Sequence, residues 1–564
     1  MLLAQALVKF LVRWDGGGYR SIPSSLVRDD VLLTLWQCLI RNLNLQNDNG
    51  SWGVEGPTEE TAYVVLALEH LRSLSPLPSI LEALDRAVSR GRDFLQGAST
   101  DARTEFLWTE KTSYRVPRIS HAYLLSALHF SAPQPTLSET IYNNLGIILT
   151  DIPKLSSFMS RLPLLTQQPR WLVDASWVES RLFLPRLSAS KEVVFKRKGM
   201  TEDKYFSWIP FTWTVANNIN RSRLSSKYLF DMMTISFLNY QADEFMEAVV
   251  GAELDEDFLA NLKVFVEREV FATLQTTRAK PRNVKIVHTD GNEAEADGES
   301  VKKAKLDEQG LIRQVLRRFI NHVLHHHSIS NSTARDRTRM AYELSRFLQA
   351  HIDQILDNRS LASMQSASND DSATPSTRVF RGSRYPTIKH WARSISAEHT
   401  SCPYSFAFTL CLVANGGHDF FPTVIADYVG DDLCRHLATM CRMYNDLGSV
   451  DRDVDEGNLN CVNFPELNGE AWSSFPTQFD TTSLSPNSSV IKDEGSSSKA
   501  TLLSLAEYEK QQMESCQAVL QERLRAADCP NLDAKINTLR VFVDVTDLFG
   551  QIYVARDIAS RKTN

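Results

Sequence analysis

Apolar residues recur at i, i+3 and i+4 through most of this chain, in Thr61–Leu74, Ala122–Phe130, Ser226–Val250, Gly310–His327, Arg339–Leu356 and Leu502–Leu524. A 3.6-residue repeat places such positions on one stripe of an α-helix, which must be buried against other elements. Strict alternation with paired turn signals, the mark of strands, is nearly absent. The pattern therefore predicts an all-α fold.

Three segments break the repeat. Residues 277–309 carry Pro, Gly and mixed charge, 363–384 are rich in Ser, Asn and Asp, and 473–501 in Ser, Thr and Pro. They hold too little apolar surface to offset the entropy of ordering, so loops, partly disordered, are expected. Long loops in such a setting are insertions or lids, and 473–501 is placed to be a cap or a spacer. Residues 1–150 differ from the rest. They contain Gln46-Asn47-Asp48-Asn49-Gly50-Ser51-Trp52-Gly53 ahead of a helix opening at Thr58, a turn in which Gln and Trp would staple a helix to its preceding loop.

Composition narrows the function. The 564 residues are 43% hydrophobic and 23% charged with a net charge of −7, so no basic excess is available to hold a nucleic-acid backbone. Eight cysteines without CxxC pairs read as buried reduced thiols, and a cytoplasmic location is expected. No uninterrupted apolar run is long enough to span a membrane. Lys9 and Arg13 interrupt the apolar start, which reads as an amphipathic helix packed on its neighbours rather than a secretory signal.

Two clusters carry candidate chemistry. In Asn445-Asp446-Leu447-Gly448-Ser449-Val450-Asp451-Arg452-Asp453, the residues Asn445, Ser449 and Asp453 follow one another at i, i+4. On a helix they form a ridge about 12 Å long. An amide oxygen, a hydroxyl and a carboxylate are hard donors that suit Mg²⁺ and leave coordination positions open to water or phosphate oxygens. Glu456 lies nearly on the same face. The second cluster, Asp243-Glu244-Phe245-Met246-Glu247, puts Asp243, Glu244 and Glu247 within about 100° of arc if the helix is regular. Three crowded carboxylates repel one another unless a cation neutralises them; alone, such a triplet also fits a solvated acidic face. The run His325-His326-His327 lacks metal spacing on one helix face and is read as exposed polar surface.

Segments Arg442–Leu467 and Asp203–Asn218 resemble the class I domain of fungal bifunctional diterpene cyclases of the copalyl diphosphate/ent-kaurene synthase type. Leu107–Leu128 and the Gln46–Gly53 turn resemble the last part of their β domain. The likeness covers nearly the whole chain outside the three loops. It implies a truncated β-domain-like region at 1–150 and a class I α domain at 151–564. It also implies two metal-binding walls, Asp243, Glu244 and Glu247 on one and Asn445, Ser449 and Asp453 on the other, with Mg²⁺ as cofactor. By the same resemblance Arg442 would contact the substrate diphosphate, Arg393 would act as a diphosphate sensor and Arg452 would reach the leaving group. An ion pair to Asp446 is Arg442's alternative role.

The chain departs from the pattern in two ways. The acidic motif is DExxE where most class I enzymes carry DDxxD, and the walls stand about 200 residues apart, an excess the loops account for. Bifunctional members also carry an upstream DxDD acid. None occurs in this sequence, and Asp453-Val454-Asp455-Glu456 belongs to the ridge, so the class II half is expected to be absent. The reading is thus a class I diterpene synthase acting on a copalyl-type diphosphate supplied by a separate class II cyclase, or on geranylgeranyl diphosphate. The rivals are a chain-elongating prenyltransferase and a non-catalytic remnant of a bifunctional cyclase. Aromatic residues Tyr205, Phe206, Trp208, Phe211, Trp213, Phe237, Tyr240 and Phe245 supply core and a few faces for a carbocation cavity.

Overall fold

The computed structural model describes residues 1–54, 57–75, 77–97, 117–131, 137, 140–196, 205–250, 254–276, 299–367, 379–380, 384–414, 418–467, 495–527 and 529–555. Among these there is no strand, so the fold is all-α. The chain forms two compact units, 1–190 with 206–230, and 191–205 with 231–564.

In the first unit the longer helices are α1 (Leu2–Asp15), α2 (Leu33–Asn44), α3 (Thr58–Leu71), α4 (Pro78–Gly97), α5 (Pro117–His129), α6 (Arg170–Ala189) and α7 (Trp208–Ile219). The opening segment is the expected amphipathic helix, with Ala4, Val8 and Leu11 buried on one stripe. The Gln46 turn is built by side-chain hydrogen bonds. Gln46 Nε2 donates to the carbonyls of Gly50 (2.9 Å) and Ala87 (2.8 Å), and the indole of Trp52 donates to Asn42 O (2.7 Å). Gly50 holds φ +89 against the Arg90 backbone, a conformation and a closeness that suit only glycine. The Gln46 staple therefore reaches α4, while the Trp52 N–H meets Thr61 Oγ1 at the start of α3 (3.1 Å). The unit runs past residue 150, the boundary expected from sequence, because α6 is tied into it. Gln37 donates to Glu179 (2.9 Å), Ser79 to Asp174 (2.5 Å), and Trp177 stacks on Phe211 at 4.0 Å. Trp208, Phe211 and Trp213 are thus buried in this unit's core.

The second unit contains most of α8 (Ser226–Phe245), then α9 (Glu256–Thr276), α10 (Glu299–Leu324), α11 (Ala334–Ala367), α12 (Cys402–Val413), α13 (Val424–Glu456), α14 (Gly495–Ala526) and α15 (Leu532–Ala555). Helix α13 packs along α14 and α15, and α11 packs on α9 and α12. At 33 residues α13 is about 50 Å long. It starts where Thr423 Oγ1 accepts the Ala426 N–H (3.1 Å) and stops at Gly457, whose φ of +74 reverses the chain. Its approach to α15 is close enough to need two glycines. A Cβ on Gly448 would meet the Tyr553 carbonyl, and one on Gly550 the Tyr444 ring.

Helices enter all three segments expected as loops. α10 starts at Glu299, α11 runs to Ala367 and α14 starts at Gly495, while residues 277–298, 368–378, 381–383 and 473–494 lie outside the described residues. Residues 98–116, which include part of the Leu107–Leu128 segment, lie outside them as well. The run at His325 is exposed at His325 and His327, as expected, but not at His326. α10 ends at Leu324, so the three rings do not share one helix; His326 is half-buried, caps the short helix His327–Asn331 and sits 3.7 Å from Asp231. All eight cysteines are free thiols, five of them buried.

Candidate active site

Asp243 and Glu244 stand in the last turn of α8, and Glu247 lies just beyond it in a π-helical turn, Met246–Val250. The regular face expected for the three carboxylates is therefore widened, a device that re-aims side chains at a helix end. Asp243 reaches solvent with 38% of its side chain, yet protein surrounds it. Burial lifts the Asp243 carboxyl above its ordinary range; Arg452 and Arg442 oppose this, and Glu244 and Glu456 add to it. Glu247 is lifted the same way by the surrounding protein and by Asp243, Glu456 and Asp453, with Arg452 again opposing. The DExxE carboxylates thus feel the charges of Arg442, Arg452, Asp453 and Glu456 on α13, and His399 joins the two helices, 3.8 Å from Asp243 Oδ1 and 3.4 Å from Arg442 Nη1.

The ridge occupies the last three turns of α13. Asn445 is half-buried, and no hydrogen bond among the described residues engages its side-chain amide. Ser449 Oγ donates to Asp453 Oδ2 (2.7 Å), which also accepts from Asn460 Nδ2 (2.7 Å). Asn460 in turn donates to the Asp446 carbonyl (2.8 Å), and the Cys461 N–H donates to Asp446 Oδ2 (2.8 Å). The segment after Gly457 is thus folded back on the ridge and fixes Asp453 through one oxygen, leaving the other available.

Arg442 makes the ion pair considered as its alternative role. Its Nε lies 2.6 Å from Asp446 Oδ1, an i, i+4 ion pair. Nη2 donates to Leu459 O (3.2 Å), Nη1 lies 3.4 Å from His399 Nδ1, and the guanidinium covers the Trp391 ring at 5.2 Å. Arg393 stands apart. It pairs with Glu509 (3.6 Å), which also meets His436 Nδ1, and His436 lies on α13 about 9 Å before Arg442, away from the ridge.

Several neighbours were not evident from sequence. His351 Nδ1 and His399 Nε2 lie 3.5 Å and 3.8 Å from the same Asp243 oxygen, and their rings are 4.0 Å apart. Burial pushes His351 down to about 3 and lowers His399 well below the usual histidine value. One turn before Asp243, Tyr240 stacks on Tyr205 at 3.9 Å and shares a 2.5 Å hydrogen bond with the Tyr553 hydroxyl. His351 comes from α11 and Tyr553 from α15, so no local spacing could have linked them to Asp243. Asn460 lies within the Arg442–Leu467 segment, but nothing in its spacing reveals that it reaches back.

Chemically, the arrangement offers oxygen donors from two helices, acids raised chiefly by burial and further by neighbouring acids, and two arginines nearby. No family model matches the chain, and no solved structure matches it. Relatives do. A pimaradiene synthase of Emericella nidulans is 39% identical over 565 residues, 98% of this chain and 54% of the relative. An ent-kaur-16-ene synthase of Fusarium fujikuroi is 31% identical over 572 residues, 99% of this chain and 55% of the relative. A phyllocladan-16-alpha-ol synthase of Phomopsis amygdali is 30% identical over 600 residues, covering the chain throughout and 55% of the relative. The chain spans about half the length of the curated relatives it matches. Its homologues are fungal diterpene synthases, and the likeness runs along its whole length.

Proposed function

We propose that this chain carries the class I activity of a diterpene synthase: ionisation of a C20 prenyl diphosphate and cyclisation of the resulting carbocation to a polycyclic diterpene. The observation that carries the reading is the approach of the acidic motif to the ridge helix: His399 lies 3.8 Å from Asp243 Oδ1 and 3.4 Å from Arg442 Nη1, three residues before Asn445. Crowded carboxylates held protonation-prone by burial fit a divalent cation, and the all-oxygen donor set fits Mg²⁺. Bound between Asp243, Glu244 and Glu247 and the Asn445–Ser449–Asp453 ridge, Mg²⁺ would supply charge neutralisation for the departing diphosphate.

The chain's own residues do the rest. Arg452 offers its guanidinium to the diphosphate, and Arg442, anchored by Asp446 and Leu459 O, holds a second positive charge behind Asp243. Arg393, paired with Glu509, has a supporting rather than a contacting place in this reading. Ring faces such as Tyr205 and Tyr240 stabilise cationic carbon by about 0.5–2 kcal/mol each, and exclusion of water there protects the cation from early quenching.

A copalyl-type diphosphate is favoured over geranylgeranyl diphosphate. Three relatives are named for pimaradiene, ent-kaurene and phyllocladanol synthesis, and the segments shared with this chain resemble a domain that receives a bicyclic diphosphate. A class II activity, on another polypeptide or elsewhere, would then supply it. The test is incubation of the purified chain with Mg²⁺ and each C20 diphosphate separately, followed by mass spectrometry of the hydrocarbon extract. A polycyclic diterpene from copalyl diphosphate is expected. Chain-elongated diphosphate would mean a prenyltransferase, and no product from any diphosphate would leave the non-catalytic remnant.

A further inference from the structure

We propose that His399 and His351 are positioning residues for Asp243, donating two imidazole N–H groups to one carboxylate oxygen, with His399 linking that carboxylate to Arg442. The inference rests on the reading of Asp243 as a metal ligand and extends it to what holds the ligand in place.

The argument begins with Arg442. A guanidinium only donates, so His399 Nδ1, 3.4 Å from Nη1, must accept. A neutral ring that accepts at Nδ1 carries its proton at Nε2, and Nε2 is the nitrogen turned toward Asp243 Oδ1 at 3.8 Å. The tautomer is thereby fixed by its neighbour. It also excludes His399 as a metal ligand through Nε2, because that nitrogen's lone pair is occupied by the proton.

His351 supplies the second donor. Only 1% of its side chain is exposed, and neither ring nitrogen has a hydrogen-bond partner. A buried polar group left unpaired is costly, and Asp243 Oδ1 lies 3.5 Å from Nδ1, the nitrogen that faces it. The T-shaped contact with Phe347, at 4.7 Å and 81°, and the His399 ring at 4.0 Å hold the imidazole in that direction. Both distances exceed a normal hydrogen bond, as is common in sites that tighten only when ligands arrive. Two donors on Oδ1 leave Oδ2 for a cation. His351 stands on α11 and His399 on the short helix Ala397–His399, with Arg442 of α13 behind it, so a carboxylate in the last turn of α8 is approached from two other helices and braced by a third.

Outer partners of this kind change metal affinity by about 10–100-fold when removed. The test measures Mn²⁺ binding to the full chain by electron paramagnetic resonance, the Mg²⁺ concentration giving half-maximal turnover, and the melting temperature. His399→Phe should weaken both metal constants by about 10–100-fold. His399→Gln should restore most of the loss, since its amide oxygen accepts from Arg442 and its N–H donates to Asp243. His351→Leu should shift the same constants in the same direction. If His399→Phe lowers the melting temperature, the comparison of metal constants between His399→Gln and wild type decides, and a Gln variant as impaired as Phe overturns the proposal. A Phe variant with wild-type Mn²⁺ affinity overturns it while leaving the site reading intact. A wild-type chain that binds no Mn²⁺ overturns both.

Discussion

Gly448→Ala places a methyl group in the narrowest part of the α13–α15 packing. The added carbon would sit 2.7 Å from the Tyr553 carbonyl carbon and closer still to its oxygen. Carbon atoms prefer about 3.5–4.0 Å, so the helices must part by roughly an ångström. The obstacle is backbone and cannot rotate away. Overpacking of this kind costs about 1–3 kcal/mol, and the better helix propensity of alanine returns about 1. Gly310→Ala is the control: the residue is exposed on α10 and a Cβ there meets nothing within 4 Å. That change should stabilise by about 0.4–1 kcal/mol. Scanning calorimetry should therefore show the melting temperature of the second unit falling for Gly448→Ala and rising for Gly310→Ala, several degrees apart. Turnover should fall further in Gly448→Ala than its melting temperature explains, because Tyr553 bonds Tyr240 one turn from Asp243. If both glycine variants shift stability alike, the close contact is not what holds α15 in place.

Three further outcomes are expected. Asp243→Ala and Asn445→Ala should each lower Mg²⁺-dependent turnover by orders of magnitude without loss of helical circular dichroism; unchanged rates in EDTA-treated protein would refute the metal reading. Burial raises Glu343 to about 7, so the folded state binds more protons than the unfolded one between about 4.5 and 7, and this group's contribution to stability falls as pH rises through that window. Glu343→Gln should accordingly raise the melting temperature relative to wild type at pH 8 and lose that advantage near pH 4.5, measured by thermal melts across pH. Gln46→Ala removes two side-chain hydrogen bonds to carbonyls and should destabilise by about 1–3 kcal/mol in urea titrations.

Much of this was legible in the chain, for identifiable reasons. The ridge and the acidic motif are local patterns on helices long and periodic enough to be unambiguous, and Arg442 lies three residues before Asn445. The start of α10 was missed because Glu299–Glu308 holds few apolar residues to show a period, although its Lys, Ala, Leu and Glu are strong helix formers. α14 begins among serines, where composition suggests a loop, and Ser498 anchors it by donating to Leu467 O (2.6 Å). The widening after Phe245 leaves no sequence mark. The histidines around Asp243 were invisible because His351 and His399 come from helices remote in sequence, and an isolated histidine in an apolar repeat has no signature.

The stop at Gly457 has an electrostatic consequence. It ends a 33-residue helix just beyond Asp453, so the ridge coincides with the C-terminal end of a long peptide dipole, equivalent to about half a negative charge. That field comes from the backbone and survives replacement of any one ridge side chain. It draws cations to the end of α13 and repels a bare diphosphate, so under the proposed function the anion is admitted after, or together with, the cations that mask it.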